Sequence, residues 1–211
     1  MSTTTPGART RLSPAQRREQ LLDLGVRLLA DRSLDELSID LLAEEAGISR
    51  GLLYHYFGNK VAFHEAVVRH AADDLIAQTA PPPGGEPLDR LLVSVAAYVD
   101  YVTANFEGYV SLVKGAAGGN ETLRGIYEEV REVLSERIFT EQDLSGDAHG
   151  DLITDTPRNR LVVRGWSAMC EELVISWCTE PGDITRDDLL AIITQALPAL
   201  IEGIPDTSAT G

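Results

Sequence analysis

The sequence predicts an all-α protein, and three observations carry that expectation. Apolar residues recur at three- and four-residue spacing. Helix start and stop signals are dense along the chain. Two-residue alternation of the strand type never persists, and no internal repeat is evident.

Taken in order, Ser13-Pro14-Ala15-Gln16 forms a capping box with proline at the first helical position, where its missing N–H costs nothing. Leu21, Leu22, Leu28 and Leu29 then continue a first helix to about Asp31. A second, short helix starts at the cap Ser38, runs through Leu42, Ala43 and Ala46, and stops at Gly47. Ser49 caps a third, from Arg50 to about Phe57, which Gly58 ends. Asn59 caps a long fourth helix through Phe63, Val67 and Ala71 to about Gln78. The segment "TAPPPGGEP" (79–87) is incompatible with continuous helix and is the clearest break in the chain. Beyond it, helices are expected at about 88–104, 106–116, 120–140, 157–179 and 186–201. Asn120, Thr156-Pro157 and Thr185 with Asp187 and Asp188 supply start signals. The polar, glycine-rich "DLSGDAHGDLITDT" (143–156) reads as a loop.

A chain of 211 residues with 44% apolar content is long enough to bury a real core. It holds no apolar run of about eighteen residues, so no membrane partner is expected. The N-terminal stretch lacks the apolar centre of a secretory signal, and the expected compartment is the cytoplasm. The net charge of −15 argues against a nucleic-acid partner only until it is divided. Residues 1–70 hold 9 Lys/Arg and 9 Asp/Glu; residues 71–211 hold 9 and 24. A neutral N-terminal unit, led by Arg9, Arg11, Arg17 and Arg18, is joined to a strongly acidic remainder. Two units with different partners are expected, divided as a basic arm (1–12), a helical head (13–60), a connecting helix (61–78) and a C-terminal domain (79–211).

A helix ending at Gly47, a short turn and a helix starting at Ser49 make a helix-turn-helix candidate. Small Ala43 and Ala46 let the two helices cross closely, while Leu53 and Phe57 face inward with Ile39, Leu42 and Ile48. Arg50, Gly51, Leu52, Tyr54 and His55 are left outside. Arg50 suits guanine and Leu52 a thymine methyl. Gly51 permits close approach of backbone, and Tyr54 and His55 suit phosphate oxygens. The same stretch, Gly47-Ile48-Ser49-Arg50-Gly51, also fits the G-x-S-x-G pattern that presents a catalytic serine in hydrolases. That alternative requires a strand before Ser49 and a distant Asp and His.

The segment resembles the DNA-binding domain of the TetR/AcrR family of transcriptional regulators. The matching residues are Ser38-Ile39, Leu42-Ala43, Ala46-Gly47-Ile48-Ser49, Gly51, Leu53-Tyr54, Phe57, Lys60 and Phe63. Arg164-Gly165-Trp166, Glu171 and Trp177 match a frequent C-terminal pattern more loosely. The resemblance implies a homodimer whose third helices enter successive major grooves and whose C-terminal helices dimerise and enclose a small-molecule pocket. By position, Arg50, Gly51 and Leu52 would read bases, Tyr54, His55 and Lys60 would hold phosphates, and Ser38 would contact the DNA backbone. Here His55-Tyr56 stands where the family usually has Tyr-His, so phosphate contact is assigned to either residue. Arg9 and Arg11 fit a minor-groove arm.

In the acidic remainder, the helices at 157–179 and 186–201 are apolar on more than one side, which implies burial on two sides. One side would face a two-fold mate in a four-helix bundle. Val163, Cys170, Val174, Leu190, Ile193 and Leu197 are the expected dimer interface. Tyr98, Tyr101, Phe106, Tyr109, Trp166 and Met169 fit either plain core or the wall of an effector pocket. The carboxylate excess suits a cationic ligand or, equally, a solvated face that repels DNA from the wrong surface.

Other chemistry is not expected. Cys170 and Cys178 lie about 12 Å apart on one helix and cannot pair. His55, His64, His70 and His149 show no metal-ligand spacing. Asp143, Ser145, Asp147, His149 and Asp151 mimic a calcium loop, but Ala148 replaces the turning glycine and Thr154 the closing glutamate. No cofactor is called for. The expected function is a DNA-binding transcriptional regulator, a repressor released from its operator by a small-molecule effector. The alternatives are a serine hydrolase built on Ser49 and a helical dimerisation scaffold without DNA affinity.

Overall fold

The computed structural model describes residues 12–139 and 153–203. Among them every regular element is an α-helix: α1 (Pro14–Leu28), α2 (Ile39–Ala46), α3 (Arg50–Phe57), α4 (Lys60–Gln78), α5 (Pro87–Ala104), α6 (Phe106–Ala117), α7 (Glu121–Glu136), α8 (Pro157–Thr179) and α9 (Arg186–Glu202). Local chemistry explains most starts. Ser13 Oγ accepts from the Gln16 N–H at 3.2 Å while Gln16 Oε1 accepts from the Ser13 N–H at 2.9 Å, closing the capping box. Ser38, Ser49, Asn59, Asn120, Thr156 and Thr185 each accept from a backbone N–H in the first turn of the helix they precede. Gly47 ends α2 at φ 64°, a left-handed conformation that costs glycine least.

Two helices stop earlier than the periodicity predicts. α1 ends at Leu28 because the Leu29 N–H is shared by the Gly25 and Val26 carbonyls, and the Leu29 carbonyl accepts from the Gly108 N–H at 2.9 Å. α7 ends at Glu136, after which the chain turns and buries Ile138 and Phe139. Both stops depend on partners far along the chain, which helical spacing cannot register.

The buried side chains form two clusters. The first joins Leu21 and Leu22 of α1, Leu42 of α2, Leu53 and Phe57 of α3 and Phe63 and Val67 of α4, and it extends to Leu123, Ile126 and Val130 of α7. The second joins Val95, Val99 and Val102 of α5, Val163, Trp166 and Val174 of α8, and Leu189, Ile193 and Leu197 of α9. Polar ties reinforce the crossings. Asp23 pairs with His70 at 2.7 Å between α1 and α4, Arg69 pairs with Glu129 between α4 and α7, and Arg186 holds Asp100 with two bonds of 2.7 and 2.8 Å.

This packing turns most of the residues expected at a dimer interface inward. Val163, Cys170, Val174, Ile193 and Leu197 are all buried within the protomer. Leu190 is half-buried against the second cluster. Both sides of α8 and α9 carry apolar residues, so periodicity could not tell the inner stripe from the outer one. The outer stripe of α8 is Leu161, Gly165, Ala168 and Glu172, with Leu161 72% exposed; that of α9 includes Ala191, Ile192, Gln195 and Ala199, with Ile192 47% exposed.

Candidate functional site

In the head, α2 and α3 pack through Ile39, Leu42 and Ala43 against Leu53 and Phe57, all buried, with Ile48 half-buried at the corner. Because these residues face inward, α3 turns Arg50, Gly51, Leu52, Tyr54 and His55 to solvent, and Ser49 and Lys60 are exposed at its two ends. Tyr56 is half-buried and packs against the head core, which separates it from the exposed His55 beside it. Ser38 is half-buried, its hydroxyl accepting from the Leu41 N–H at 3.1 Å. A Cβ placed on Gly51 would meet only Ser49 Oγ, at 4.0 Å, so nothing within the protein requires glycine there. Arg50 is ion-paired with Asp40 of α2, an exposed pairing that parks the guanidinium at the α2–α3 corner. Lys60 Nζ donates to the Asp35 carbonyl at 3.4 Å. Arg9 and Arg11 lie outside the described residues.

Ser49 Oγ accepts from the Leu52 N–H at 3.3 Å, so its oxygen caps α3 and follows a helix and turn, where the hydrolase pattern needs a strand. Ser49→Ala is expected to destabilise the head by about 1 kcal/mol and to weaken operator binding. A thermal melt paired with a gel shift checks this; an unchanged melt would remove the capping role.

The second feature is an apolar cavity of about 160 Å³. Its wall is shared by Val26 of α1 and Leu29 just after it, Val68 and Leu75 of α4, Val95 and Tyr98 of α5, and residues of α6, α7 and α8. Of the six aromatic and sulfur residues singled out in the sequence, Tyr98, Tyr101, Tyr109 and Trp166 line it. Phe106 and Met169 do not; they are half-buried against the second cluster.

One end of the cavity carries a closed hydrogen-bond chain. Tyr109 donates to Glu171 at 3.0 Å, so Tyr98, 2.8 Å from the Tyr109 oxygen, must donate to it. Tyr127 donates to the other Glu171 oxygen at 2.8 Å, and Arg131 donates to Tyr127 at 2.8 Å. Burial raises the pKa of Tyr98, Tyr109 and Tyr127, and Glu171 adds to the effect, so the phenols remain donors. Burial works to lower the Arg131 pKa, but its bond to Tyr127 and the nearby Glu171 raise it overall. Burial likewise pushes the Cys170 thiol up to about 12, which leaves it protonated and unreactive.

The sequence reading missed the polar members of this wall. Ser94, Tyr127, Arg131 and Arg137 line the cavity together with Glu171, which entered only through the family pattern. A signal was present. Arg90, Ser94, Tyr98 and Tyr101 follow each other at spacings of four, four and three, the inward stripe of a helix, yet carry polar groups. Among the described residues no group of His, Cys, Asp and Glu is arranged to hold a metal, and no helix is long and apolar enough to cross a membrane. The calcium-like residues 143–151 lie outside the described residues.

A capped reading helix held on a second helix across a glycine turn, with an arginine and aromatic hydrogen-bonding groups outward, defines a helix-turn-helix DNA-binding protein. Residues 21–67 match the tetR family of bacterial regulatory proteins, and residues 87–199 match the tetracyclin repressor-like C-terminal domain. A tetR-family transcriptional regulator from Streptomyces coelicolor is similar in structure at 32% identity and a TM-score of 0.78, covering 91% of this chain and 83% of that one. The HTH-type transcriptional activator FasR of Mycolicibacterium smegmatis is 23% identical over 181 residues, which is 84% of this chain and 79% of the relative. The HTH-type transcriptional regulator BetI of Burkholderia thailandensis is 38% identical over 87 residues, 40% of this chain and 45% of the relative. The chain belongs to the TetR family of DNA-binding transcriptional regulators. It is therefore a transcription factor and not a serine hydrolase.

Proposed function

We propose that the protein is a homodimeric repressor released from its operator by a small molecule that occupies the cavity. Arg50, Gly51 and Leu52 read bases, and Tyr54, His55 and Lys60 hold phosphates, with Ser38 at the backbone. Half-burial of Tyr56 favours His55 as the phosphate partner of that pair. The observation that carries the release mechanism is the shared wall: α1 of the head and the connecting helix α4 line the cavity together with the C-terminal helices. α6 also rests directly on the end of α1. The Gly108 N–H bonds to the Leu29 carbonyl, a Cβ on Gly108 would lie 2.7 Å from Leu29 Cβ, and the Leu34 N–H donates to Ser111 Oγ at 3.1 Å. A ligand that favours a different spacing of α4 and α6 changes the head angle, and with it the match to grooves about 34–36 Å apart.

The outer stripes of α8 and α9 supply the dimer face. A Cβ on Gly165 would stand in open space, so nothing in the protomer accounts for the glycine, and Ala168, Ala191 and Ala199 keep the surface low enough for close helix contact. Ala168→Arg is expected to give a folded monomer by sedimentation, with unchanged helical content and loss of operator binding. A dimer that survives the substitution would rule out this face. Footprinting the DNA upstream of the protein's own gene tests the whole reading: two protected half-sites one helical turn apart are expected, and uniform, sequence-independent binding would refute it.

A further inference from the structure

The two polar regions of the cavity wall are unequal. At the Glu171 end each polar group has a partner within the protein: one phenol donates to each carboxylate oxygen, and Arg131 and Tyr98 complete the chain. The Arg131 guanidinium, close enough to Glu171 to be held charged by it, already supplies the positive charge there, which disfavours a cationic effector. Arg137 stands ten residues beyond Tyr127, about 15 Å along α7 and its cap. Its guanidinium is half-buried and donates to two neutral oxygens, Thr79 Oγ1 at 3.2 Å and Ile76 O at 2.8 Å. Among the described residues no carboxylate is paired with it. Burial depresses its pKa, with no acidic neighbour acting in the other direction. Arg131, on the same wall, is set against the Glu171 network through Tyr127, whereas Arg137 has only neutral oxygens around its charge. A second observation is independent of charge: Ser94 Oγ, on the α5 side of the same wall, is buried with no hydrogen-bond partner. Unpaired buried hydroxyls are uncommon and costly.

We propose that the cavity binds an aliphatic carboxylate, its anionic head matched by Arg137 and by the Ser94 hydroxyl and its chain lying against Val68, Leu75, Val95 and Leu134. The inference rests on the reading of the cavity as an effector site, and it names the class of effector. A cavity of about 160 Å³ resembles in size one that holds a benzene ring, so it encloses on the order of six heavy atoms, the head group and the first part of a longer chain. The apolar wall favours the chain, while the charge-assisted bond selects the head group.

The test is calorimetric titration of the full chain with decanoate, 1-decanol and decanoyl-coenzyme A, with Trp166 fluorescence as a local reporter from the cavity wall. Decanoate is expected to bind about tenfold or more tighter than 1-decanol, and Arg137→Gln to abolish that preference while leaving 1-decanol affinity unchanged. Arg137→Lys, which keeps the charge, should retain most of it. Ser94→Ala should weaken decanoate severalfold without lowering the melting temperature, which covers the case in which Arg137→Gln fails to fold. Equal affinity for acid and alcohol, binding of the thioester alone, no binding of any of the three, or a preference that survives Arg137→Gln would each overturn the proposal. Operator shifts with and without decanoate are read separately. Carboxylate binding without any change in the shift leaves the ligand class standing and refutes the release mechanism.

Discussion

Arg50→Ala is expected to remove most sequence-specific operator affinity while leaving non-specific DNA binding nearly intact. A bidentate arginine–guanine contact discriminates by about 1–3 kcal/mol, and the proposed dimer would lose two of them, so specific affinity should fall roughly thirtyfold to ten-thousandfold. The pairing with Asp40 sharpens the prediction. In the free protein Asp40 neutralises Arg50, and on DNA it must share or release the guanidinium. Asp40→Asn should therefore raise non-specific affinity and change specificity at the same base position. Lys60→Ala provides the contrast, weakening binding to all sequences alike and reducing the salt slope by about one per head. Competition gel shifts over a salt series measure all three. If Arg50→Ala lowers specific and non-specific binding equally, the residue meets phosphate and the base-reading role is wrong.

Phe63→Ala is expected to be the most destabilising single truncation in the head. Phe63 is fully buried at the start of α4, edge-on to Phe57 of α3 with centroids 5.1 Å apart, and Arg18 of α1 lies over the Phe57 ring at 5.3 Å. The Phe57–Phe63 pair thus ties α1, α3 and α4 together at the point where the reading helix is fixed. Truncating a buried phenylalanine costs about 3–5 kcal/mol, which lowers the melting temperature by roughly 6–20 °C for a chain of this size. Loss of DNA binding should precede global unfolding, because α3 has few other anchors. Phe63→Leu, which refills most of the volume, should recover much of the loss. A drop of less than about 1 kcal/mol would mean that the site collapses around the vacancy.

The head was largely legible in the sequence because its determinants are local. Ser49 caps α3, Gly47 stops α2, and each acts within four residues of where it stands. The inward pair Leu53 and Phe57 follows from helical period alone, and it fixes by exclusion which residues look outward. The C-terminal half was legible as helices but not as surfaces. Val163, Cys170 and Val174 form as good an apolar stripe as any, and they serve the protomer's own core. The face left open is marked by the absence of large side chains at Gly165 and Ala168, a weaker signal than hydrophobicity. The cavity was harder still. Its aromatic members were visible as candidates, but Phe106 and Met169 carry the same signal and pack elsewhere.

By itself, then, the sequence determined the helices, their caps, the helix-turn-helix and the family, because capping, left-handed glycine and apolar period are properties of neighbouring residues. The tertiary structure decided which stripe of α8 and α9 is buried, that α1 shares the cavity wall, and that Glu171 is bonded by two tyrosines while Arg137 meets no carboxylate among the described residues. Those features depend on groups far apart in the chain: Tyr127 and Tyr109 stand 44 and 62 positions from Glu171. Only the packing of whole helices brings such groups within hydrogen-bond reach, and no local periodicity encodes that packing.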